Sequence, residues 1–161
     1  MQSWQLISMF LVGSIFAVSF AMRKNLHAKA AQLYDGVMPA LRAEVVAGRR
    51  PDESDPICMV ATQRSMVSAK VYYVAVTNLR VVIKLAGGET RSFERGAVQM
   101  SIAKKTFTDV GNMQTTYTEG WELRLVLPGN EKHAWRVYAE AYGIADHAAQ
   151  VQALVASLAV A

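Results

Sequence analysis

One cysteine, Cys58, among 161 residues leaves no internal disulfide framework and no multi-cysteine zinc or iron–sulfur pattern. Beside Ile57 and Met59 it reads as a small buried hydrophobe rather than a nucleophile. The three histidines, His27, His133 and His147, fall in different segments with no His-x-x-x-His or His/Cys spacing, so no metal and no cofactor is expected. Each reads as a surface or edge residue. No Gly-x-x-x-x-Gly-Lys-Ser/Thr, Gly-x-Gly-x-x-Gly or Gly-x-Ser-x-Gly occurs. The acidic pairs Glu53/Asp55 and Glu89/Glu94 lie in turn-rich, hydrophilic stretches that keep carboxylates solvated rather than poised for catalysis. A non-enzymatic protein is the expectation. Charged residues make up only 19% of the chain and hydrophobic ones 52%, which excludes a disordered chain and predicts one buried core.

Charge is scarcest at the front. Residues 1–22 carry no Asp, Glu, Lys, Arg or His, and Arg23, Lys24, His27 and Lys29 follow at once. Leu6, Ile7, Phe10, Val12, Ile15, Phe16, Val18 and Phe20 would cover the whole circumference of a helix. Trp4 to Met22 as a helix rises ~28 Å, close to the ~30 Å hydrocarbon core of a bilayer. Residues 1–22 are therefore expected to form an uncleaved transmembrane helix. Ser19-Phe20-Ala21 loosely matches a signal-peptide cleavage site, but the positive charge follows the apolar run instead of preceding it. The same asymmetry keeps the following chain cytoplasmic. Gly13, Ala17 and Ala21 recur every fourth residue and form a row along which a second membrane helix could approach closely.

From Arg23 the pattern becomes amphipathic, with Leu26, Ala30, Leu33, Val37, Leu41 and Val45 at three- and four-residue steps. Asp35-Gly36 and Pro39 are expected to interrupt or kink this helix, and Gly48 to stop it. Arg49 to Pro56 reads as a polar, proline-bounded linker, giving a helical segment and linker over residues 23–56 and a folded domain over 57–161. Whether the helical segment lies along the membrane, packs on the domain or docks on another chain is left open.

After Pro56 the period becomes that of strands. Ile57–Gln63, Val71–Thr77 and Arg80–Leu85 are extended, apolar runs joined by turn signals. Val98, Met100 and Ile102 alternate with polar residues, as do Trp121, Leu123, Leu125 and Leu127. Thr106–Asp109 and Thr115–Thr118 flank a hairpin signal at Gly111-Asn112, and Pro128-Gly129-Asn130 turns into a last strand near Lys132–Tyr138. Ile144, Ala148, Val151, Leu154, Val155 and Leu158 line one face of a closing helix, with Asp146, His147 and Gln150 outside that stripe. The predicted fold is mainly β: about seven antiparallel strands in a barrel or bent sandwich capped by a C-terminal helix, or else an open α+β sheet with the helix on one face.

Tyr73-Val74-Ala75-Val76-Thr77-Asn78-Leu79-Arg80-Val81-Val82-Ile83 resembles the strand, Thr-x-x-Arg turn, strand signature of bacterial pleckstrin-homology-like (PH-like) domains. The resemblance covers about two-thirds of the chain. It implies a seven-stranded bent antiparallel sheet closed at one end by the terminal helix, used non-enzymatically for binding or assembly and often attached to a membrane segment. Together with the charge order after residue 22, the expected location is a bacterial inner membrane, single-pass, with the domain cytoplasmic. Lipid-binding members of the wider family use basic residues around the first strand–strand loop, where Arg64 and Lys70 bracket Ser65-Met66-Val67-Ser68-Ala69. Tyr72 occupies the position of a further basic residue in those binders, which argues against strong inositol-phosphate binding. A milder contact of Arg64, Lys70 and Met66 with an anionic leaflet remains, each basic residue contributing on the order of 1 kcal/mol. Lys104-Lys105 lacks an accompanying aromatic stripe, so nucleic acid is not expected as a partner. The expected partners are the bilayer and other membrane protein subunits or a second copy; the expected role is a membrane-anchored adaptor, or alternatively a tethered lipid or small-ligand binding module.

Overall fold

The computed structural model describes residues 37–64, 69–111, 114–139 and 146–159. It opens with a helix over residues 37–47, α1. The helix ends as the sequence predicts, with the Gly48 N–H on the Glu44 carbonyl at 3.1 Å. Seven strands follow: β1 Ile57–Arg64, β2 Ala69–Val76, β3 Arg80–Leu85, β4 Thr90–Glu94, β5 Gln99–Gly111, β6 Gln114–Leu127 and β7 Glu131–Val137. A 3-10 turn at Arg95–Ala97 joins β4 to β5, and α2, His147–Ala159, closes the chain. The strands form one open antiparallel sheet in the order β4-β3-β2-β1-β7-β6-β5. The fold is therefore mainly β with two helices, one of them C-terminal.

Among the described residues no helix is long and apolar enough to cross a membrane. The span expected at residues 1–22, with its row at Gly13, Ala17 and Ala21, lies outside them.

Two differences from the expected strands have physical causes. Residues 99–109 and 115–127, which read as four short pieces, belong to two long strands paired without a break from Gln99↔Val126 to Gly111↔Gln114. β4 had no legible pattern because it is an edge strand with four polar residues and a single aromatic, Phe93, turned partly inward.

Alternation in β1–β3 divides the apolar residues between two cores. Met59, Ala61, Val74, Val76, Val81 and Ile83 face one side, where they meet Leu123, Leu125, Trp135 and Val137 of β6 and β7 and Val151 and Leu154 of α2. Cys58, Val60, Tyr73, Ala75 and Val82 face the other, where α1 covers them with Met38, Leu41 and Val45. These strands are dry on both faces, which explains their near-continuous apolar runs. The described part of the amphipathic segment thus packs on the sheet.

The sheet is strongly bent. Arg91 on β4 and Glu131 on β7 stand four strands apart, which a flat sheet would separate by ~19 Å at ~4.8 Å per strand. Their side chains instead meet at 2.9 Å.

β1 and β7 pair only at Thr62↔Arg136, and α2 fills the gap where they diverge. The Cys58 N–H donates to Gln150 Oε1 at 3.1 Å and the Val60 N–H to His147 Nε2 at 2.9 Å. Two strand amides that lack a neighbouring strand are thereby satisfied by helix side chains. Since Nε2 accepts, Nδ1 carries the ring proton and donates to the Ala139 carbonyl, 3.3 Å away. His147 is buried, not a surface residue as its sequence context suggested. Val151 and Leu154 of the predicted face of α2 are buried, with Val155 and Leu158 partly so; the difference is at its start, where His147 is buried and Ala148 exposed.

Candidate functional site

The hydrophilic stretch before β1 holds a buried carboxylate. Glu53 is 1% exposed and its oxygens are fully engaged. Oε1 accepts from Arg80 Nε at 2.6 Å and from the Thr77 hydroxyl at 2.7 Å, while Oε2 accepts from the Arg50 N–H at 3.1 Å. Arg80 also reaches the end of α1, with Nη2 2.8 Å from the Val45 carbonyl and 2.9 Å from that of Gly48. A cation there also complements the negative end of the helix dipole. Asn78 adds a reciprocal pair with Ser54, the Ser54 N–H donating to Asn78 Oδ1 at 2.8 Å and the Asn78 N–H to Ser54 Oγ at 3.0 Å. The Thr77-Asn78-Leu79-Arg80 turn is thus a socket that receives residues 52–54 and ties α1 to the sheet.

This corrects the expectation that Glu53 is solvated. The Arg80 hydrogen bond first, then those of Thr77 and the Arg50 amide, outweigh the effect of burial and hold the Glu53 carboxyl at a pKa of about 2. It is a structural anion with both oxygens hydrogen-bonded. Its pair partner in the sequence reading, Asp55, is exposed and meets Arg49 at 2.8 Å.

A second feature lies at the end of the bent sheet that carries the β3–β4 and β6–β7 turns. There a cleft of about 310 Å³ opens among residues of β2, β3, β4, β6 and β7. Its aromatic wall is Tyr72 stacked on Trp135, centroids 4.3 Å apart and planes 15° from parallel. Ile83, Leu85 and Leu127 add apolar surface. The rim carries Glu89 and a hydrogen-bonded cluster in which Arg91 forks onto Glu131 at 2.9 and 3.3 Å and His133 Nε2 lies 2.9 Å from Glu131 Oε1. The Arg91 guanidinium foremost holds the Glu131 carboxyl below its ordinary range. The Tyr72 hydroxyl donates to Gln63 Oε1 at 3.1 Å. The indole N–H of Trp135, only 1% exposed, has no acceptor among the described residues.

The residues singled out for anionic-lipid contact flank this end. Lys70 is exposed near the start of β2, paired with Gln63 and two positions before Tyr72. Arg64 ends β1 opposite Ala69, and Met66 lies outside the described residues. Sequence reasoning missed both the clamp and the cleft, because each is assembled from residues far apart in the chain. Among the described residues no group of His, Cys, Asp and Glu is arranged to hold a metal ion. Cys58 is buried, which pushes its thiol pKa up and away from nucleophilic use. Comparison with protein-family models, with curated proteins and with solved structures found no match.

Proposed function

We propose that this protein is a single-span, non-enzymatic adaptor of the bacterial inner membrane, which holds a PH-like β module at the cytoplasmic face where it binds or stabilises other membrane protein subunits. The observation that carries the reading is the Glu53–Arg80 clamp: it fastens the end of α1 and the stretch before β1 to the sheet, so the chain enters the β module through a fixed helix rather than a loose linker. The strand order and a C-terminal helix wedged between β1 and β7 support the PH-like assignment, as does a Thr-x-x-Arg turn with a definite structural task. Gly13, Ala17 and Ala21 are the first surface to test for helix packing. Extraction of the full chain in mild detergent followed by affinity purification should recover a membrane protein in stoichiometric amount. A monodisperse chain with no companion contradicts the adaptor reading.

The cleft beside Tyr72 and Trp135 favours a second reading, a membrane-tethered lipid or small-ligand binding module. That reading predicts bound lipid in native mass spectrometry of the purified protein.

A further inference from the structure

We infer that the cleft at the turn-bearing end of the sheet takes the acyl end of a neutral lipid ester, with the ester carbonyl accepting the hydrogen bond of the Trp135 indole N–H. This rests on the reading of the protein as a membrane-tethered binding module and names the class of ligand.

Four observations converge on that chemistry. The wall is apolar and aromatic, built from Tyr72, Trp135, Ile83, Leu85 and Leu127, and suits a hydrocarbon group. The indole donor is buried with no acceptor among the described residues, an unfavourable state that one carbonyl relieves. The one lining cation, Arg91, is committed to Glu131, and Glu89 adds a further negative charge to the lining, so a phosphate or carboxylate is disfavoured there. The volume of about 310 Å³ lies at the small end of ligand clefts, enough for one chain terminus and too little for a whole lipid. Exposed Lys70, two residues from Tyr72 along β2, places a positive charge beside the mouth, where it can rest against anionic headgroups while the neutral ester enters.

The test follows the indole N–H resonance of Trp135 in the full chain, 15N-labelled in phosphatidylcholine nanodiscs. The chain has three tryptophans, and the Trp135→Phe variant identifies the signal. Titration with monodecanoylglycerol should move that resonance and saturate. The matching decyl glyceryl ether, which lacks the carbonyl, should bind about tenfold more weakly, as should the ester to Trp135→Phe, followed there by the Tyr72 backbone amide, since this variant keeps an aromatic wall but has no donor. Decyl phosphate should bind no better than the ether. Leu85→Glu, at a half-buried position on the wall, should abolish the ester response while retaining cooperative unfolding, and it serves as the second variant if Trp135→Phe does not fold. An unmoved Trp135 resonance, equal affinity for ester and ether, or tighter binding of decyl phosphate overturns the inference. If one of those results is accompanied by lipid in native mass spectra, the ligand class is wrong but the binding-module reading stands; if no lipid is found either, both fall.

Discussion

Arg80 Nε lies 2.6 Å from Glu53 Oε1, and the same guanidinium reaches back to the carbonyls of Val45 and Gly48. One side chain therefore links three pieces of chain: the end of α1, the stretch before β1 and the turn between β2 and β3. The contact is part-shielded, since the Arg80 side chain is 16% exposed and that of Glu53 not at all. It is a local tie that joins α1 to the sheet.

Glu53→Gln should destabilise the protein by about 2–3 kcal/mol, somewhat less than the ~3–5 kcal/mol for breaking a fully buried pair, because Arg80 keeps two carbonyl acceptors and some water. For a chain of this size the thermal midpoint should fall by about 5–10 °C. Arg80→Lys should give an intermediate loss, since an ammonium retains charge but not the fork that spans Glu53 and two carbonyls. Calorimetry of the two variants and the double variant measures the coupling; strictly additive losses would show that the pair does not act as a unit.

A fragment beginning at residue 37 should unfold cooperatively, and one beginning at Pro56 should not. The shorter piece removes Met38, Leu41 and Val45 from the face formed by Cys58, Val60, Tyr73, Ala75 and Val82, and leaves Arg80 without Glu53. Dye binding to exposed apolar surface, with a broadened melting transition, is the expected signature of the Pro56 fragment. Matching stability of the two pieces would contradict the clamp.

Two groups should give the pH dependence of stability. Burial, foremost, lowers the His147 pKa from its ordinary value of 6.5, so the folded state binds this proton less readily than the unfolded chain. Stability is then fully present above the ordinary histidine range and declines as pH falls below it, where protonation would also remove the acceptor for the Val60 amide. Glu53 has its folded pKa lowered from 4.5 to about 2, so its contribution is present above the ordinary carboxylate range and is lost as pH drops from there toward 2. Chemical denaturation of His147→Gln at pH 7.5 and 5.5 should show a smaller difference between the two pH values than the parent; an unchanged difference would clear His147 of the effect.

Gly120 marks a close crossing of β6 by the end of β7. A Cβ there would stand 2.9 Å from the Val137 carbonyl oxygen, 3.0 Å from Tyr138 Cδ1 and 3.1 Å from Phe107 Cε2. Backbone cannot step aside cheaply, so Gly120→Ala should cost about 1–3 kcal/mol. Gly96→Ala, with nothing within 4 Å of the added carbon, should stay within about 0.5 kcal/mol of the parent. Parallel urea melts separate the two cases.

The sheet was legible wherever one face alternates or both faces are dry, as in β1–β3 and in Trp121 to Leu127 of β6. The polar contacts were not. Arg49 to Pro56 contains no large apolar residue to announce burial, and the partner that draws Glu53 inward lies 27 residues further along the chain. His147 did carry a signal: with Val151, Leu154 and Leu158 it falls at four-, three- and four-residue steps, the spacing of a buried stripe, but its polarity masked it. The Tyr72–Trp135 cleft depends on the bend of the sheet, which brings β4 to β7 and has no local signature.

The central claim is that residues 1–22 hold the β module against the cytoplasmic side of the membrane. Protease protection on vesicles of both orientations, after alkaline carbonate washing, tests it most directly. The account predicts that the chain stays in the washed membrane and that its C-terminal part is digested only in inside-out vesicles. Release by carbonate, or digestion of the β module from the opposite face, would contradict it.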